Sequence, residues 1–256
     1  DVTAGDVEII GQEELADHVM RDVGLIAPIL GRRAMYQFGM RLPVSEEGTV
    51  GAGLGPPQRP GVRTFMPPTK TFEKLYEGET GGIKFEVHLI PSETEDQCAV
   101  WLSDEKVLLS ADAVYESFPN VYALRGTRFR NPMIWAQGVD RLRQFNSEVL
   151  IPHHGHPVEG AEKISELLTD YRDAIQFVHD QTLRYMNKGY RPDEIKEVVS
   201  MPERLKDHPW LGEFYGSYKH SIPAIYVGYL GWYQGDPVDL DPTPWVEKAR
   251  RYVDLM

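Results

Sequence analysis

The chain contains little cysteine, no long apolar run and a shortage of positive charge. Its single cysteine, Cys98, excludes an internal disulfide framework. No run of about 18 or more apolar residues occurs, so the sequence predicts no membrane span. With 27 basic against 39 acidic residues the net charge is −12, which argues against a nucleic-acid partner because phosphate binding needs a basic face. Any anion site must therefore be a local cationic pocket.

The composition is otherwise that of a globular protein with a substantial core. Of the 256 residues, 41% are hydrophobic and 11% are aromatic, and this length allows one large domain or a domain with an appendage. The chain begins at Asp1, without an initiator methionine or a signal-peptide pattern. We interpret it as a processed or incomplete piece of a protein.

The first part of the chain alternates helices with short strands. Helices are predicted at 12–23, 26–37 and 135–145, and strands at 82–90, 99–102, 107–110 and 149–151, the last of the strands. Between the second helix and the first of these strands, Gly39–Gly61 reads as a long loop, either functional or a flexible insertion. The pattern indicates an α/β layer structure.

After Gly160 the pattern becomes entirely helical. A long amphipathic helix is predicted at 162–187, and shorter helices follow at 191–199, 202–205 and 245–256. The segment 215–233 is rich in tyrosine and tryptophan. We interpret it as a packing or dimer surface, because aromatic residues dominate interface anchors. We therefore expect an α/β region at 1–160 and a helical region at 161–256.

Possible metal ligands follow three of the predicted strands. Glu93 stands in the segment PSETED after the first strand, Asp112 follows the strand at 107–110, and His154 lies in PHHGHPVEG after the strand at 149–151. If these strand ends share one sheet edge, two carboxylates and an imidazole converge as a mixed ligand set for Zn²⁺ or another divalent ion. The alternatives are a solvated acidic turn around Glu93, a helix N-cap at Asp112 and a solvent-facing histidine turn.

Arg125, in the segment YALRG, is the candidate anion ligand. A guanidinium between apolar neighbours can hold a tetrahedral oxyanion through two parallel hydrogen bonds. A structural ion pair with one of the many carboxylates is the alternative.

The order PSETED, LLSADAV, YALRG and PHHGHPVEG resembles the second half of a metallo-β-lactamase-fold domain, and more narrowly the alkylsulfatases of that superfamily. The segments RRAMYQFGMRLP, GTVGAGLG, EFYGSYKHS and AIYVGYLGWYQGDP resemble the same family, so the similarity covers almost the whole chain. The resemblance implies the C-terminal half of an αββα sandwich at 1–160 and a helical dimerisation domain at 161–256, through which the protein forms a homodimer.

The resemblance also implies a site for two zinc ions. Glu93 and His154 would each bind a metal, and Asp112 would bridge the two ions. Arg125 and the backbone N–H of Gly55 would hold the sulfate group, and His220 would be a proton donor near the substrate. The activity implied is hydrolysis of alkyl sulfate esters by metal-activated water.

Three features depart from the family pattern. The HxHxDH loop that supplies the remaining zinc ligands is absent, so its segment belongs to a separate or missing N-terminal half of the protein. Phe38 and Met40 stand where alkylsulfatases carry a tyrosine and an asparagine that contact sulfate. Pro223 stands where a basic residue is common. Two alternatives therefore remain: a hydrolase of the same fold acting on a phosphate ester, lactone or thioester, and a non-catalytic dimerisation module with a vestigial site.

Overall fold

The computed structural model describes residues 5, 7–53, 55–56 and 64–256. The strands are β1 (Ile10–Gln12), β2 (Lys70–Phe72), β3 (Leu75–Thr80), β4 (Ile83–Leu89), β5 (Cys98–Leu102), β6 (Val107–Ala111), β7 (Val149–Pro152) and β8 (Val158–Glu159). The helices are α1 (Leu15–Asp22), α2 (Ala27–Gln37), α3 (Pro132–Arg143), α4 (Ala161–Met186), α5 (Pro192–Val198), α6 (Glu203–Lys206), α7 (Tyr218–Leu230), α8 (Pro237–Leu240) and α9 (Trp245–Asp254). Short 3₁₀ turns occupy Gly24–Ile26 and Pro209–Leu211. The predicted class, an α/β region followed by a helical region, is confirmed.

Six strands form one mixed sheet in the order β3-β4-β5-β6-β7-β8, and β1 pairs with β2 in a separate parallel pair. Neighbouring strands from β3 to β6 are antiparallel, β6 and β7 are parallel, and β7 and β8 are antiparallel. Strands β4, β6 and β7 therefore point the same way. Their C-terminal ends lie along one edge of the sheet, as predicted.

Strand β8 corrects the prediction that the strand at 149–151 is the last one. Val158 pairs with Leu150, and Glu159 pairs with Val149. The segment of two residues is too short to show an alternating pattern, and it follows a polar turn. The pairing folds the histidine-containing loop back on β7, so both ends of that loop are held by the sheet.

The core runs without a break from the sheet into the helices. The largest fully buried side chains include Trp135, Tyr115 and Leu150 from the first region and Tyr171 and Ile175 from α4. Helix α3 packs along α4, so the two regions share one apolar core across residue 160. Within the described residues, no helix is long and apolar enough to cross a bilayer.

His208 joins α4 to the turn after α6. Its Nδ1 accepts a hydrogen bond from the Trp210 N–H at 3.2 Å, and its Nε2 lies 3.8 Å from Oδ2 of Asp170. Burial lowers the pKa of His208, and the nearby Arg204 lowers it further against the opposing effect of Asp170. The native structure therefore favours the neutral imidazole, which is the form that has an acceptor nitrogen.

The ordinary pKa of the imidazole is 6.5, and that of native His208 is lower. We expect the free energy of unfolding to decrease as the pH falls from the first of these pKa values to the second. The unfolded chain binds the proton first in this window, so stability rises with pH. His208→Asn, which keeps a capping acceptor but does not titrate, should remove this part of the dependence. Urea unfolding between about pH 5 and pH 8 measures it.

His156→Asn is the matched control, because the imidazole of His156 is 89% exposed. That variant should retain the decrease. An unchanged pH dependence in His208→Asn would contradict the assignment.

Candidate metal and anion site

Asp112 and His154 meet at the sheet edge where β6 and β7 end. The Nδ1–H of His154 donates to Oδ1 of Asp112 at 2.6 Å. Two backbone hydrogen bonds hold the loops together beside this pair: His153 N to Ala111 O at 3.2 Å and Glu116 N to His154 O at 3.2 Å. Parallel pairing of the two strands thus continues into loops that present a carboxylate and an imidazole side by side.

The backbone before Asp112 leaves the strand in an unusual conformation. Ala111 has a φ of 50°, and the register between β6 and β7 shifts between Leu109 and Ala111. Residues 112–117 form turns rather than a helix, so the helix N-cap alternative for Asp112 is wrong. The buried indole of Trp135 anchors these turns by donating to the carbonyl of Ala113 at 2.8 Å.

Glu93 lies in the loop after β4 and forms an ion pair with Arg130. Both side chains are almost fully buried. Burial raises the pKa of Glu93, the guanidinium of Arg130 opposes that effect, and the carboxylate of Asp112 raises the pKa further. The charge of Asp112 therefore acts on the Glu93 carboxyl, as expected if the ends of β4 and β6 lie at one edge of the sheet.

The acidic segment after β4 is divided between surface and interior. Glu95 is exposed, as the solvated-turn alternative expects, but Asp96 is buried and its Oδ1 lies 3.4 Å from Nδ1 of His18 on α1. The solvated-turn alternative is therefore wrong for Glu93 and Asp96. Helix α1 instead covers this loop.

A cavity of about 850 Å³ opens at the sheet edge. Its lining includes Glu93, Asp112, Arg125, Arg130 and His153. In all, five carboxylates and four guanidiniums line this space. Three of the guanidiniums, those of Arg21, Arg128 and Arg130, form ion pairs with carboxylates. The cavity as a whole is therefore not cationic, and an anion site within it depends on the local charge of Arg125.

Arg125 has the features of an anion ligand rather than of a structural ion pair. Its Nη1 is buried, and it has no hydrogen-bond partner among the described residues. No carboxylate of the described chain forms an ion pair with it, although its charge lowers the pKa of nearby Glu93. The guanidinium carbon lies 5.8 Å from the centre of the Phe38 ring.

A smaller pocket of about 230 Å³ has Phe38 in its wall. His220, Asn120 and Tyr122 line it together with Phe38 and Gly51–Gly53 of the long loop. The described part of the loop Gly39–Gly61 thus lines a pocket, and its functional interpretation stays a prediction. Its residues 54 and 57–61 lie outside the described chain.

Met40 and Gly55 line neither space. Met40 is partly exposed, and its N–H donates to the carbonyl of Met35 at 3.0 Å. The carbonyl of Gly55 accepts a hydrogen bond from the Ala52 N–H at 2.8 Å. His156, the third histidine of the loop after β7, is exposed and pairs with Glu116 at 2.7 Å.

The residues present fit only part of a metal site. Among the described residues, no group of three or more histidine, cysteine, aspartate or glutamate side chains is arranged to hold a metal ion. The Asp112–His154 pair is nevertheless a suitable fragment of one. When Nδ1–H donates to a carboxylate, the Nε2 of the same imidazole carries the lone pair that a metal needs.

Three residues that contact the site, Arg130, Arg33 and Gln37, were not predicted from the sequence. Arg130, five residues after Arg125, forms an ion pair with Glu93. The three arginines of its segment RGTRFR indicate a local concentration of positive charge and could have pointed to this role. Arg33 and Gln37 on α2 contact the backbone at Arg125. They lie about 90 residues away along the chain, so no local pattern shows the contact.

The chain has known relatives along its full length. It is 47% identical to a linear primary-alkylsulfatase of a Pseudomonas species and 37% identical to the alkyl/aryl-sulfatase of Saccharomyces cerevisiae. Both alignments cover 100% of this chain, but they cover only 49% and 40% of the relatives. The chain thus spans about half the length of the curated relatives that it matches.

A solved structure shows the same architecture. The stereoselective inverting sec-alkylsulfatase from Pseudomonas sp. matches with a TM-score of 0.94 at 32% identity, over 100% of this chain and 42% of that protein. In addition, residues 191–256 match the sequence model of the family described as alkyl sulfatase dimerisation. The matched range begins after α4, within the predicted helical region.

The predicted resemblance is confirmed: over its full length the chain is similar to alkylsulfatases, and its residues 191–256 carry the alkyl sulfatase dimerisation domain.

Proposed function

We propose that this chain forms the substrate-binding part and one section of the metal site of an alkylsulfatase, which hydrolyses alkyl sulfate esters to an alcohol and inorganic sulfate. The observation that carries the proposal is the buried Nη1 of Arg125, which has no hydrogen-bond partner among the described residues and lies beside a cavity that Glu93 and Asp112 also line. The similarity to alkylsulfatases along the whole chain supports it.

Arg125 would bind the sulfate group. A guanidinium presents two parallel N–H donors that match two oxygens of a tetrahedral anion. A sulfate monoester carries a single negative charge, which one guanidinium balances, whereas a phosphate monoester is close to a dianion at neutral pH. Because the other guanidiniums of the cavity already pair with carboxylates, the single charge of Arg125 favours a sulfate ester over a phosphate ester.

Glu93, Asp112 and His154 would contribute ligands to a pair of zinc ions. The remaining ligands would come from an HxHxDH segment outside this chain. The ions would supply Lewis acidity that lowers the pKa of an attacking water molecule. Arg130 would keep Glu93 ionised in its buried position, since an unpaired buried carboxylate is costly.

His220 would provide a proton near the departing alcohol. It lines the smaller pocket beside Phe38, whose ring also contacts the guanidinium of Arg125. The two spaces therefore adjoin through one aromatic side chain. We infer that the sulfate group occupies the Arg125 side. Binding of sulfate by the backbone N–H of Gly55, which lines neither pocket, stays a prediction.

The helical domain would form a homodimer. Helix α9 buries none of its residues within the chain, although it carries Trp245, Val246 and Tyr252. An amphipathic helix whose apolar face stays exposed in its own chain needs a partner to bury that face. The family assignment of residues 191–256 supports a second copy as that partner. The division into domains at residues 160 and 161 remains part of this proposal.

Asp112→Ala in the whole protein should abolish metal binding at the bridging position and lower sulfate ester hydrolysis by at least about 100-fold. The carboxylate is the group that we expect to lie between the two ions. Elemental analysis of the purified protein and the rate of sulfate release measure the two effects.

Glu116→Gln is the control for this variant. It disrupts the other pair that joins the same two loops, between Glu116 and exposed His156, and should retain both metal and activity. Full activity in Asp112→Ala would reject the metal assignment.

Arg125→Met should lower kcat/KM for an alkyl sulfate by about 100- to 1,000-fold, because the charge that develops on the sulfate loses its buried cationic partner. Steady-state kinetics with and without added inorganic sulfate would also show weaker product inhibition. Arg184→Met removes an exposed guanidinium on α4 that lines neither pocket and should have little effect. Equal losses in the two variants would indicate a general effect of charge rather than a binding site.

Phe38→Tyr tests the substrate class. The added hydroxyl would stand beside the guanidinium of Arg125, where a further donor raises kcat/KM for a sulfate ester by about fivefold. Phe65→Tyr, at a partly exposed position, is the control. Hydrolysis rates for an alkyl sulfate, a lactone and a thioester are to be compared. A gain for the lactone or thioester, without one for the sulfate, would favour a different ester as substrate.

A further inference from the structure

The peptide group between Leu124 and Arg125 is held on both sides by helix α2. The Nη2–H of Arg33 donates to the carbonyl of Leu124 at 2.7 Å. One helical turn further on, Oε1 of Gln37 accepts from the backbone N–H of Arg125 at 2.6 Å. The carbonyl and the N–H belong to the same peptide plane, so two side chains at i and i+4 of one helix hold the two polar groups of a single peptide.

This peptide is the centre of a tight turn. The Gly126 N–H donates to the carbonyl of Ala123 at 2.8 Å, which makes Leu124 and Arg125 the two central residues of a β-turn. Type I and type II turns differ by rotation of the central peptide. A type II turn needs a positive φ at its second central residue. The φ of Arg125 is not positive, so the turn is not of type II. Rotation of the peptide would break both contacts with α2.

Burial does not require these two hydrogen bonds. Leu124 is 55% exposed, so water could solvate the same peptide if α2 were further away. The two hydrogen bonds instead fix the direction in which the Arg125 side chain leaves the backbone. The Cα of Arg125 is at the end of the held peptide plane, and the plane therefore determines where its side chain leaves the backbone.

Helix α2 also restrains the guanidinium itself. Phe38 follows Gln37 directly, and its ring centre lies 5.8 Å from the guanidinium carbon of Arg125. No ion pair with a described residue orients Arg125, and its buried Nη1 has no hydrogen-bond partner there. Its position therefore depends on the backbone and on the aromatic ring.

We propose that Arg33 and Gln37 are positioning residues for Arg125: they hold the central peptide of its turn and so aim its guanidinium at a bound sulfate group. This inference rests on the proposed anion-binding role of Arg125. Arg33 also carries a positive charge, but Gln37 is neutral, so the effect of Gln37 separates positioning from electrostatic attraction.

The test measures binding of inorganic sulfate to the whole protein by isothermal titration calorimetry. Gln37→Met keeps the size of the side chain without the acceptor, and should weaken sulfate affinity about fivefold, as expected for one lost hydrogen bond. Arg33→Met should weaken it at least as much, and Arg33→Lys, which keeps a donor, should restore most of the affinity. Arg32→Met removes the same charge from the adjacent exposed position on α2 and should leave the affinity within about twofold of the parent.

Hydrogen–deuterium exchange of the segment that contains Arg125 gives a second measurement that does not depend on sulfate. Exchange at the Arg125 amide should be faster in Gln37→Met, because its acceptor is gone, and unchanged in Arg32→Met. If Gln37→Met does not fold, as judged by circular dichroism, the comparison of Arg33→Met with Arg33→Lys decides.

Arg125→Met distinguishes failure of this inference from failure of the proposed function. Sulfate affinity that is lost in Arg125→Met but unchanged in Gln37→Met, or in both Arg33 variants, would overturn the positioning role alone. Sulfate affinity that is absent in the parent, or equal in the parent and Arg125→Met, would overturn the anion site and the positioning role together.

Discussion

The parallel pairing of β6 with β7 is the constraint on which the candidate site depends. It brings the C-terminal ends of two strands to the same edge of the sheet, where Asp112 and His154 form a 2.6 Å hydrogen bond. The antiparallel β4-β5-β6 pairing then directs the end of β4, with Glu93, towards the same edge. Reversal of β7 would carry His154 to the opposite edge, so the site follows from strand direction before any side chain is considered.

Charge balance is the second condition for this arrangement. Two carboxylates cannot share a buried edge at low cost, because each raises the pKa of the other and loses hydration. Arg130 offsets this for Glu93 through a buried ion pair, whereas Asp112 interacts with an imidazole. Arg125 is then left as the guanidinium without a carboxylate partner among the described residues. An anion that binds there balances the charge of this guanidinium. The net negative charge of the chain repels anions only at long range.

The sequence predicted those features that follow from local pattern. Alternating residues located β4, and apolar runs located β6 and β7 to within about two residues. The order of the strands' C-terminal ends correctly placed Glu93, Asp112 and His154 at one edge of the sheet, whereas their role as metal ligands stays a prediction. Pairing partners were not predictable in the same way: β8 is only two residues long, and the ion pair between Glu93 and Arg130 joins side chains that are 37 positions apart. The apolar neighbours of Arg125, and then the family resemblance, suggested it as an anion ligand, which stays a prediction.

Helix α2 shows why the remaining part of the site could not be read from the chain. Its apolar residues are largely exposed, and it buries none of its residues completely, so its amphipathic pattern does not indicate what it packs against. Its specific contacts are polar and distant in sequence, from Arg33 and Gln37 to one peptide of the Arg125 turn. A helix that contributes little to the core can thus still determine the geometry of a site. Because Phe38 extends from the same end of α2 into the smaller pocket, movement of this helix would displace the anion ligand and the pocket wall together.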